Sequence, residues 1–409
     1  MSIGAEQQVN DHKFADLARK HIDFLAGSIG PRPSCRDGEL EAALYAADQL
    51  TRIGIDDVQF QEFNGSPTSY GRYTLAVLIT AISGYVFTLA PSDLPAGLLA
   101  LSGILGLVAV MLESDFRHNW TRWIIPSKNS QNVISKIEAA EQSVRDVIVV
   151  AHLDTHRTPW FNASRLGQHL FRYFFRVSII LQAAAFASGG AFLLTRWEPT
   201  RWAVLIVSAF LNLIGFLLLQ ADLSGFSPGA YDNASGVGSA LSLAARCVRY
   251  PMATITLWIV LTGCEETGSA GMHALLKRCA KTWQDPLIIN LDQMGSEQLY
   301  IRTCEGFLLR RCTDANTLAL ARESARRAKV ALIERESQAY SDAAVALQFG
   351  LPAISLGTQP GDPTEDTHRH RLSDLSEHVK SEGLINTQRL CWALLRTIDE
   401  TTELEGQRD

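Results

Sequence analysis

Four stretches without any charged residue constrain this 409-residue chain more than any other feature of its sequence. They are 17 to 19 residues long and lie at Tyr73–Ala90, Ala96–Leu112, Val177–Thr195 and Trp202–Gln220. A helix that rises about 1.5 Å per residue needs this length to cross roughly 30 Å of hydrocarbon. A helix in a soluble core usually keeps a polar face, and these stretches have none. Short turns (PSDLP and RWEPTR) join them in pairs, which predicts two transmembrane helical hairpins and four spans in the lipid bilayer.

Basic residues gather on the side of the hairpins that carries the two chain termini. Seven Lys or Arg residues flank the spans on that side, and the hairpin tips have only Arg196 and Arg201. Positive residues near span ends favour the cytoplasmic face of a membrane. We therefore predict a multi-pass protein of the cell membrane, with both termini and the bulk of the chain in the cytoplasm. The polar first 30 residues lack the apolar segment of a cleavable secretory signal.

Composition argues against several other classes of protein. The chain has 37 Lys and Arg against 43 Asp and Glu, so its net charge is −6, and no basic block suggests a nucleic-acid partner. At 47% hydrophobic and 20% charged residues, it is too apolar for disorder. Its seven cysteines are scattered without a CxxC pair. This usage predicts reduced thiols in a cytosol-like compartment rather than a disulfide framework.

Outside the four spans, strand-like and helix-like segments alternate along the chain. This pattern predicts an α/β fold with a mostly parallel mixed sheet flanked by helices. We expect one discontinuous globular domain made of residues 1–71, 113–176 and 221–409, interrupted by hairpin 1 at 72–112 and hairpin 2 at 177–220. Because each insertion must return the chain to the side that it left, an even number of spans per insertion is required.

Acidic residues and histidines follow several of the predicted strands, where ligand sites of open α/β sheets collect. His152 follows the predicted buried strand in VIVVAHLDTH, and Asp154 comes two residues later. Such a pair can be a metal ligand with its orienting carboxylate or a structural hydrogen bond. Asp232 precedes a turn of small residues that opens a helix, where a metal ligand and an N-cap are both plausible.

The later clusters are more informative about chemistry. Glu265 and Glu266 end a strongly apolar strand, and two adjacent carboxylates there are costly unless a cation neutralises them. Asp292 follows another apolar strand, and His368 and His370 lie in a polar loop before the last helix. Each signal alone is modest, and their order along the chain is the stronger observation.

In that order, the sequence resembles the M28 family of zinc metallopeptidases, which includes aminopeptidases. The resemblance extends to LAGSIGPRPSCRDGELEAALYAADQL near the N-terminus, to DVIVVAHLDT and to SDAAVALQFGLPAISL. It covers nearly the whole chain apart from the two membrane insertions. It implies the zinc exopeptidase fold, related to phosphorylase and hydrolase folds, two Zn²⁺ ions per chain and a peptide substrate.

The resemblance also implies a role for each matching residue. His152 and Asp292 resemble the terminal ligands of one zinc, and Asp232 resembles the bridging carboxylate. Glu266 and His370 resemble the ligands of the second zinc, with His368 as the competing histidine. Glu265 resembles the general base, and Asp154 resembles the residue that orients His152. The chain departs from the family at Arg369, where many relatives have Tyr, and at Cys264, where a small or acidic residue is expected.

The leading hypothesis is therefore a membrane-anchored dizinc peptidase, most simply an aminopeptidase that releases N-terminal residues. Two alternatives stay open at this point. A non-catalytic membrane scaffold could keep the peptidase fold, although all five ligand candidates and the base are present. A zinc acyltransferase similar to glutaminyl cyclases is the other, and those enzymes typically use a single zinc.

Overall fold

The computed structural model describes residues 3–406, and side chains within residues 10–401. The chain divides into two compact units. The sheet unit comprises the chain up to Pro67, Lys128–His156 and the chain from Phe226 onward. The helical unit comprises Thr68–Ser127 and Arg157–Gly225. Two separate segments of sequence thus interrupt the sheet unit and together make the second unit.

A nine-stranded mixed sheet forms the centre of the sheet unit. In chain order its strands are β1 Val58–Gly65, β2 Lys128–Ile137, β3 Arg145–His152, β4 Ile255–Thr262, β5 Leu287–Leu291, β6 Gln298–Glu305, β7 Arg311–Cys312, β8 Leu332–Glu336 and β9 Ala353–Gln359. They lie in the order β1-β2-β4-β3-β5-β9-β6-β7, and β8 pairs with β6. The four central strands β4, β3, β5 and β9 are parallel, and they are buried on both faces as their continuous apolar runs require.

Within residues 3–406, seven α-helices belong to the same unit. They are α1 Ile3–Ile22, α2 Asp37–Arg52, α8 Ser235–Arg249, α9 Ala270–Cys279, α10 Ala315–Ala328, α11 Asp342–Gln348 and α12 Ser381–Gly406. Helix α8 is buried along almost its whole length because small residues fill it. A Cβ at Gly238 would lie 2.7 Å from the carbonyl oxygen of Ala18, so this glycine lets α1 and α8 pack closely. The predicted α/β class, with a mixed sheet flanked by helices, is confirmed.

The helical unit contains the four apolar segments. Its helices are α3 Gly71–Leu89, α4 Asp93–Ser114, the short α5 Thr121–Ile124, α6 Arg165–Thr195 and α7 Thr200–Leu223. Helices α3, α4, α6 and α7 are long and apolar enough to cross a membrane. Helix α6 begins twelve residues before the predicted span, because Ser164 caps its first turn by accepting from the N–H of Gly167, and the aromatic segment after it continues the helix.

Polar side chains inside the helical unit are paired with one another. Arg72 and Glu113 form a buried ion pair, with Nη1 and Oε1 3.1 Å apart. The hydroxyl of Thr80 lies 3.1 Å from Oε1 of Gln182. Buried polar groups on apolar helices are costly without partners, so these pairs specify which helices meet.

One sequence expectation is wrong: the cysteines are not all reduced. Cys304 and Cys312 form a disulfide. The two residues lie directly opposite each other on the antiparallel strands β6 and β7, with their Cα atoms 4.0 Å apart. Strand β7 has only two residues, which is too short to give a periodic signal, so the sequence offered no reason to pair these two cysteines.

Candidate metal centre

The predicted site residues converge at the carboxyl ends of neighbouring strands. His152 is the last residue of β3, and Glu265 and Glu266 follow the adjacent strand β4. Asp292 comes directly after β5, on the other side of β3. Because parallel strands end at one edge of the sheet, residues far apart in sequence meet there. Asp232 comes from the turn Ala230–Ala234 before α8, and its peptide bond to Asn233 is cis.

Three of these residues form a first ligand group. His152, Asp232 and Asp292 each present one ligand atom, and the three atoms lie within 4.8 Å of one another. Nε2 of His152 is 3.2 Å from Oδ1 of Asp232 and 3.8 Å from Oδ1 of Asp292. All three side chains are buried. One imidazole and two carboxylates at this spacing suit a Zn²⁺ ion.

A second ligand group lies on the other side of Asp232. Nε2 of His370 is 3.1 Å from Oδ2 of Asp232 and 3.4 Å from Oε1 of Glu266. The two oxygens of the Asp232 carboxylate therefore face different groups, Oδ1 towards His152 and Oδ2 towards His370. A carboxylate placed in this way can bridge two cations.

His156, which the sequence analysis did not single out, joins the second group. One ligand atom of His156 lies within 4.8 Å of those of Glu266 and His370, and its ring stacks on that of His370 with centroids 3.9 Å apart. The motif HLDTH could have indicated it, because its two histidines are four residues apart. His368, the competitor of His370, lies elsewhere, with Nδ1 2.9 Å from the hydroxyl of Ser373 and its ring stacked on His378.

Asp154 organises the loop that carries the two glutamates. Its carboxylate accepts hydrogen bonds from the backbone N–H groups of Glu265 at 3.0 Å and Glu266 at 3.1 Å, and from the hydroxyl of Ser34 at 2.7 Å. Nδ1 of His152 lies 3.0 Å from the carbonyl oxygen of Asp154 and 3.4 Å from Oδ1. These contacts direct Nε2 of His152 towards Asp232 and keep both glutamates at the centre.

Electrostatics at the centre reflect several carboxylates in a buried place. Burial raises the pKa of Glu265 well above its usual range; His152 opposes this effect, and Glu266 adds to it. Burial also raises the pKa of Asp232, but Arg369, His152 and His370 outweigh it and hold that pKa well below its usual range. The guanidinium of Arg369 thus offsets part of the negative charge at the centre. Divalent cations would do so more effectively, since charges of opposite sign favour the ionised carboxylate.

Buried polar atoms without hydrogen-bond partners give an independent test of whether the site fits a metal ion. Four buried atoms at the centre have no hydrogen-bond partner, namely Oδ1 of Asp232, Oδ1 of Asp292, Oε1 of Glu266 and Nε2 of His370. Buried polar atoms are normally paired, so a cluster of orphaned acceptors calls for a ligand. The orphaned atoms are ligand atoms of the two groups, and the donor set therefore fits metal ions.

Two buried arginines that the sequence analysis did not assign support the site. The guanidinium of Arg32 donates to the backbone carbonyls of Leu25, Gly30, Leu153, Pro228 and Gly229. It ties together the loops that carry Asp154 and Asp232. Nη2 of Arg302 lies 2.7 Å from Oδ2 of Asp292 and leaves Oδ1 facing His152. Single-sequence reasoning had no signal for either residue, because both contacts join distant parts of the chain.

The two departures from the family pattern have different surroundings. Cys264 is buried, with its Sγ 3.3 Å from that of Cys35, and its N–H donates to Oε1 of Glu39 at 2.8 Å. It is a packed thiol outside both ligand groups. Arg369 lies at the centre itself, with Nε 2.6 Å from Oδ2 of Asp232.

Comparisons with known proteins agree with this geometry. The sequence profile of Peptidase family M28 matches residues 194–395. No curated protein matches the chain. The chain is structurally similar to BSAP, a zinc aminopeptidase from Bacillus subtilis, with a TM-score of 0.56, 16% identity and coverage of 93% of this chain and 94% of that one.

Other solved structures share the fold but differ in their named activity. The LapA aminopeptidase of Legionella pneumophila has a TM-score of 0.53 at 12% identity, covering 97% of this chain and 75% of that one. A glutaminyl cyclase of Tannerella forsythia has a TM-score of 0.55 at 15% identity, covering 93% of this chain and 97% of that one. At these identities the likeness establishes the fold, which these aminopeptidases and this cyclase share.

Proposed function

Residues 194–395 of this chain belong to peptidase family M28, and we propose that the protein is a membrane-anchored dizinc aminopeptidase. The observation that carries the proposal is the convergence of His152, Asp232 and Asp292 on one side and Glu266 and His370 on the other. Their orphaned ligand atoms meet around one shared carboxylate. The family and the fold support a zinc metallopeptidase; the number of ions and the exopeptidase specificity are our proposals.

The protein's own residues would divide the catalytic work as follows. When bound, the zinc ions would supply electrophilic activation of the water and of the scissile carbonyl. Glu265, with a carboxylate oxygen within 4.8 Å of ligand atoms of His152 and Glu266, would accept the proton of the attacking water and deliver it to the leaving amine. Asp154 would hold Glu265 and His152 in place through the contacts described above.

Peptide profiling with detergent-purified protein tests the substrate class. We expect release of single residues from peptides with a free N-terminus, and no release from the same peptides after N-terminal acetylation. Carboxypeptidase action would instead give the same rate on both forms and fail on C-terminal amides. That result would contradict the aminopeptidase proposal while leaving a metallopeptidase intact.

A glutaminyl cyclase activity is the second candidate, because a cyclase is among the similar structures at a comparable TM-score. The two reactions are distinguished by mass on a peptide that starts with glutamine. Hydrolysis adds water and releases glutamine, whereas cyclisation loses ammonia and leaves the chain length unchanged. Ammonia loss without residue release would replace the peptidase proposal by the cyclase one. If neither product forms and the sample binds no zinc, the result favours a non-catalytic scaffold.

We further propose that α3, α4, α6 and α7 span the cell membrane as two hairpins, with the sheet unit in the cytoplasm. The excess of Lys and Arg on the terminal side supports this orientation. The opposing observation is the Cys304–Cys312 disulfide, since disulfides persist mainly in oxidising compartments. We expect protease added to intact cells to spare the sheet unit and protease added to inside-out vesicles to degrade it; the reverse pattern would contradict the orientation.

A further inference from the structure

Arg369 contacts the carboxylate that the two ligand groups share, and it does so on one side only. Its Nε lies 2.6 Å from Oδ2 of Asp232, which is the oxygen that faces His370. Oδ1, the oxygen that faces His152, has no hydrogen-bond partner. The guanidinium therefore binds Oδ2, the oxygen of Asp232 that belongs to the second ligand group.

The first ligand group also has an arginine, but that arginine leaves its ligand atoms free. Arg302 binds Oδ2 of Asp292, and Oδ1 of the same carboxylate stays orphaned and 3.8 Å from Nε2 of His152. In the second group, which also includes His156, Oε1 of Glu266 and Nε2 of His370 are orphaned, whereas Oδ2 of Asp232 accepts from Nε2 of Gln293 at 3.3 Å as well as from Arg369. The two ligand groups thus differ in how far neighbouring side chains occupy their ligand atoms.

A metal ion at the second position would have to share Oδ2 with a positive charge. The Arg–carboxylate contact is a charge-assisted hydrogen bond to a buried acceptor, so displacing it has a cost. A guanidinium that stays in place repels the ion at short range instead. The side chain of Arg369 is 39% exposed, whereas that of Asp232 is 1% exposed, so Arg369 can move into solvent when the ion arrives.

From this asymmetry we infer that Arg369 competes with the second metal ion for Asp232. The first position, formed by His152, Asp292 and Oδ1 of Asp232, fills first and binds Zn²⁺ tightly. The second position, formed by His156, Glu266, His370 and Oδ2 of Asp232, fills at higher zinc concentration, and Arg369 sets that concentration. The inference rests on the proposed metal centre and assigns to Arg369 the control of its second occupancy.

Zinc titration of the metal-free, detergent-purified full chain by isothermal calorimetry tests the inference without any activity assay. We expect two binding steps in the unmodified protein. In Arg369→Gln and in Arg369→Met we expect the second step to tighten by about tenfold or more, while the first step stays within about threefold. Arg369→Lys keeps the charge and should keep the second step weak. Arg371→Gln is the matched control, because Arg371 lies two residues after Arg369 and pairs with Asp366 instead of Asp232.

The outcomes separate the inference from the proposal beneath it. Retention of the first step shows that each variant is folded. A second step that is unchanged within about twofold in both charge-removing variants would overturn the competition, as would an equal tightening of both steps, which indicates a diffuse charge effect. No zinc binding by the unmodified protein would overturn the metal centre itself. Asp232→Asn should weaken both zinc-binding steps. Unchanged zinc affinity in this variant would refute the proposal that the two ligand groups share the Asp232 carboxylate.

Discussion

Replacing Glu265 by glutamine is expected to lower kcat/KM for peptide hydrolysis by about 10³-fold while the bound zinc stays in place. Glutamine keeps the size of the side chain but cannot accept the proton of the attacking water. The backbone of residue 265 is held by its N–H bond to Asp154, which the substitution does not touch. The measurement is steady-state hydrolysis of an unblocked peptide together with zinc content by mass spectrometry.

Glu266→Gln is the matched control for this prediction. Glu266 is next in sequence and its backbone N–H donates to the other oxygen of Asp154, but its carboxylate faces His370 in the second ligand group. We therefore expect this variant to lose zinc as well as activity. Loss of zinc from Glu265→Gln would show that Glu265 is a ligand, and unchanged hydrolysis in Glu265→Gln would remove it from the reaction.

Removal of the metal by a chelator is expected to abolish hydrolysis and to lower the unfolding temperature. The carboxylates of Asp232 and Asp292 lie close together in a buried place, and like charges so placed repel unless a cation neutralises them. An ion that binds only the folded state at about 1,000 times its Kd contributes about 4 kcal/mol to the free energy of unfolding. The checks are the peptide assay and thermal unfolding in detergent, each before and after chelation.

A chelator already saturated with zinc is the control, because it has the same contacts with protein and detergent but removes no metal. Added Zn²⁺ should restore both activity and unfolding temperature, whereas Mg²⁺ should not, since imidazole ligands favour zinc. Full activity in the metal-free sample would refute the metallopeptidase. Restored stability without restored activity would favour the scaffold alternative.

The sequence was most informative about acidic and histidine residues that lie at the ends of strands. Glu265 and Glu266 end an apolar strand, and the same logic placed His152 and Asp292 at the neighbouring strand ends. Long apolar runs likewise identified the helices of the helical unit, since their length is a local property. The positions of these residues in space follow from the parallel order of the central strands, which alternation of strands and helices predicts.

Contacts between distant residues were beyond the sequence. The charge competition at Asp232 depends on Arg369, which is 137 residues away along the chain. Strand β8 (LIERE) is polar and mostly exposed at the edge of the sheet, so it lacks the apolar pattern of a strand. The Cys304–Cys312 disulfide depends on a two-residue strand that no periodicity can reveal. In each case the sequence does not indicate which distant residue or strand the fold brings into contact.

The two interruptions of the sheet unit begin and end at neighbouring residues. In the antiparallel pair β1–β2, Gly65 stands opposite Lys128, and the N–H of Ser227 donates to the carbonyl of His156 at 3.0 Å. Each excursion thus leaves the sheet unit and returns to it at adjacent points of the backbone. A short turn spliced in at each junction is therefore expected to let the sheet unit fold without the four apolar helices, and the proposed chemistry could then be studied without lipid.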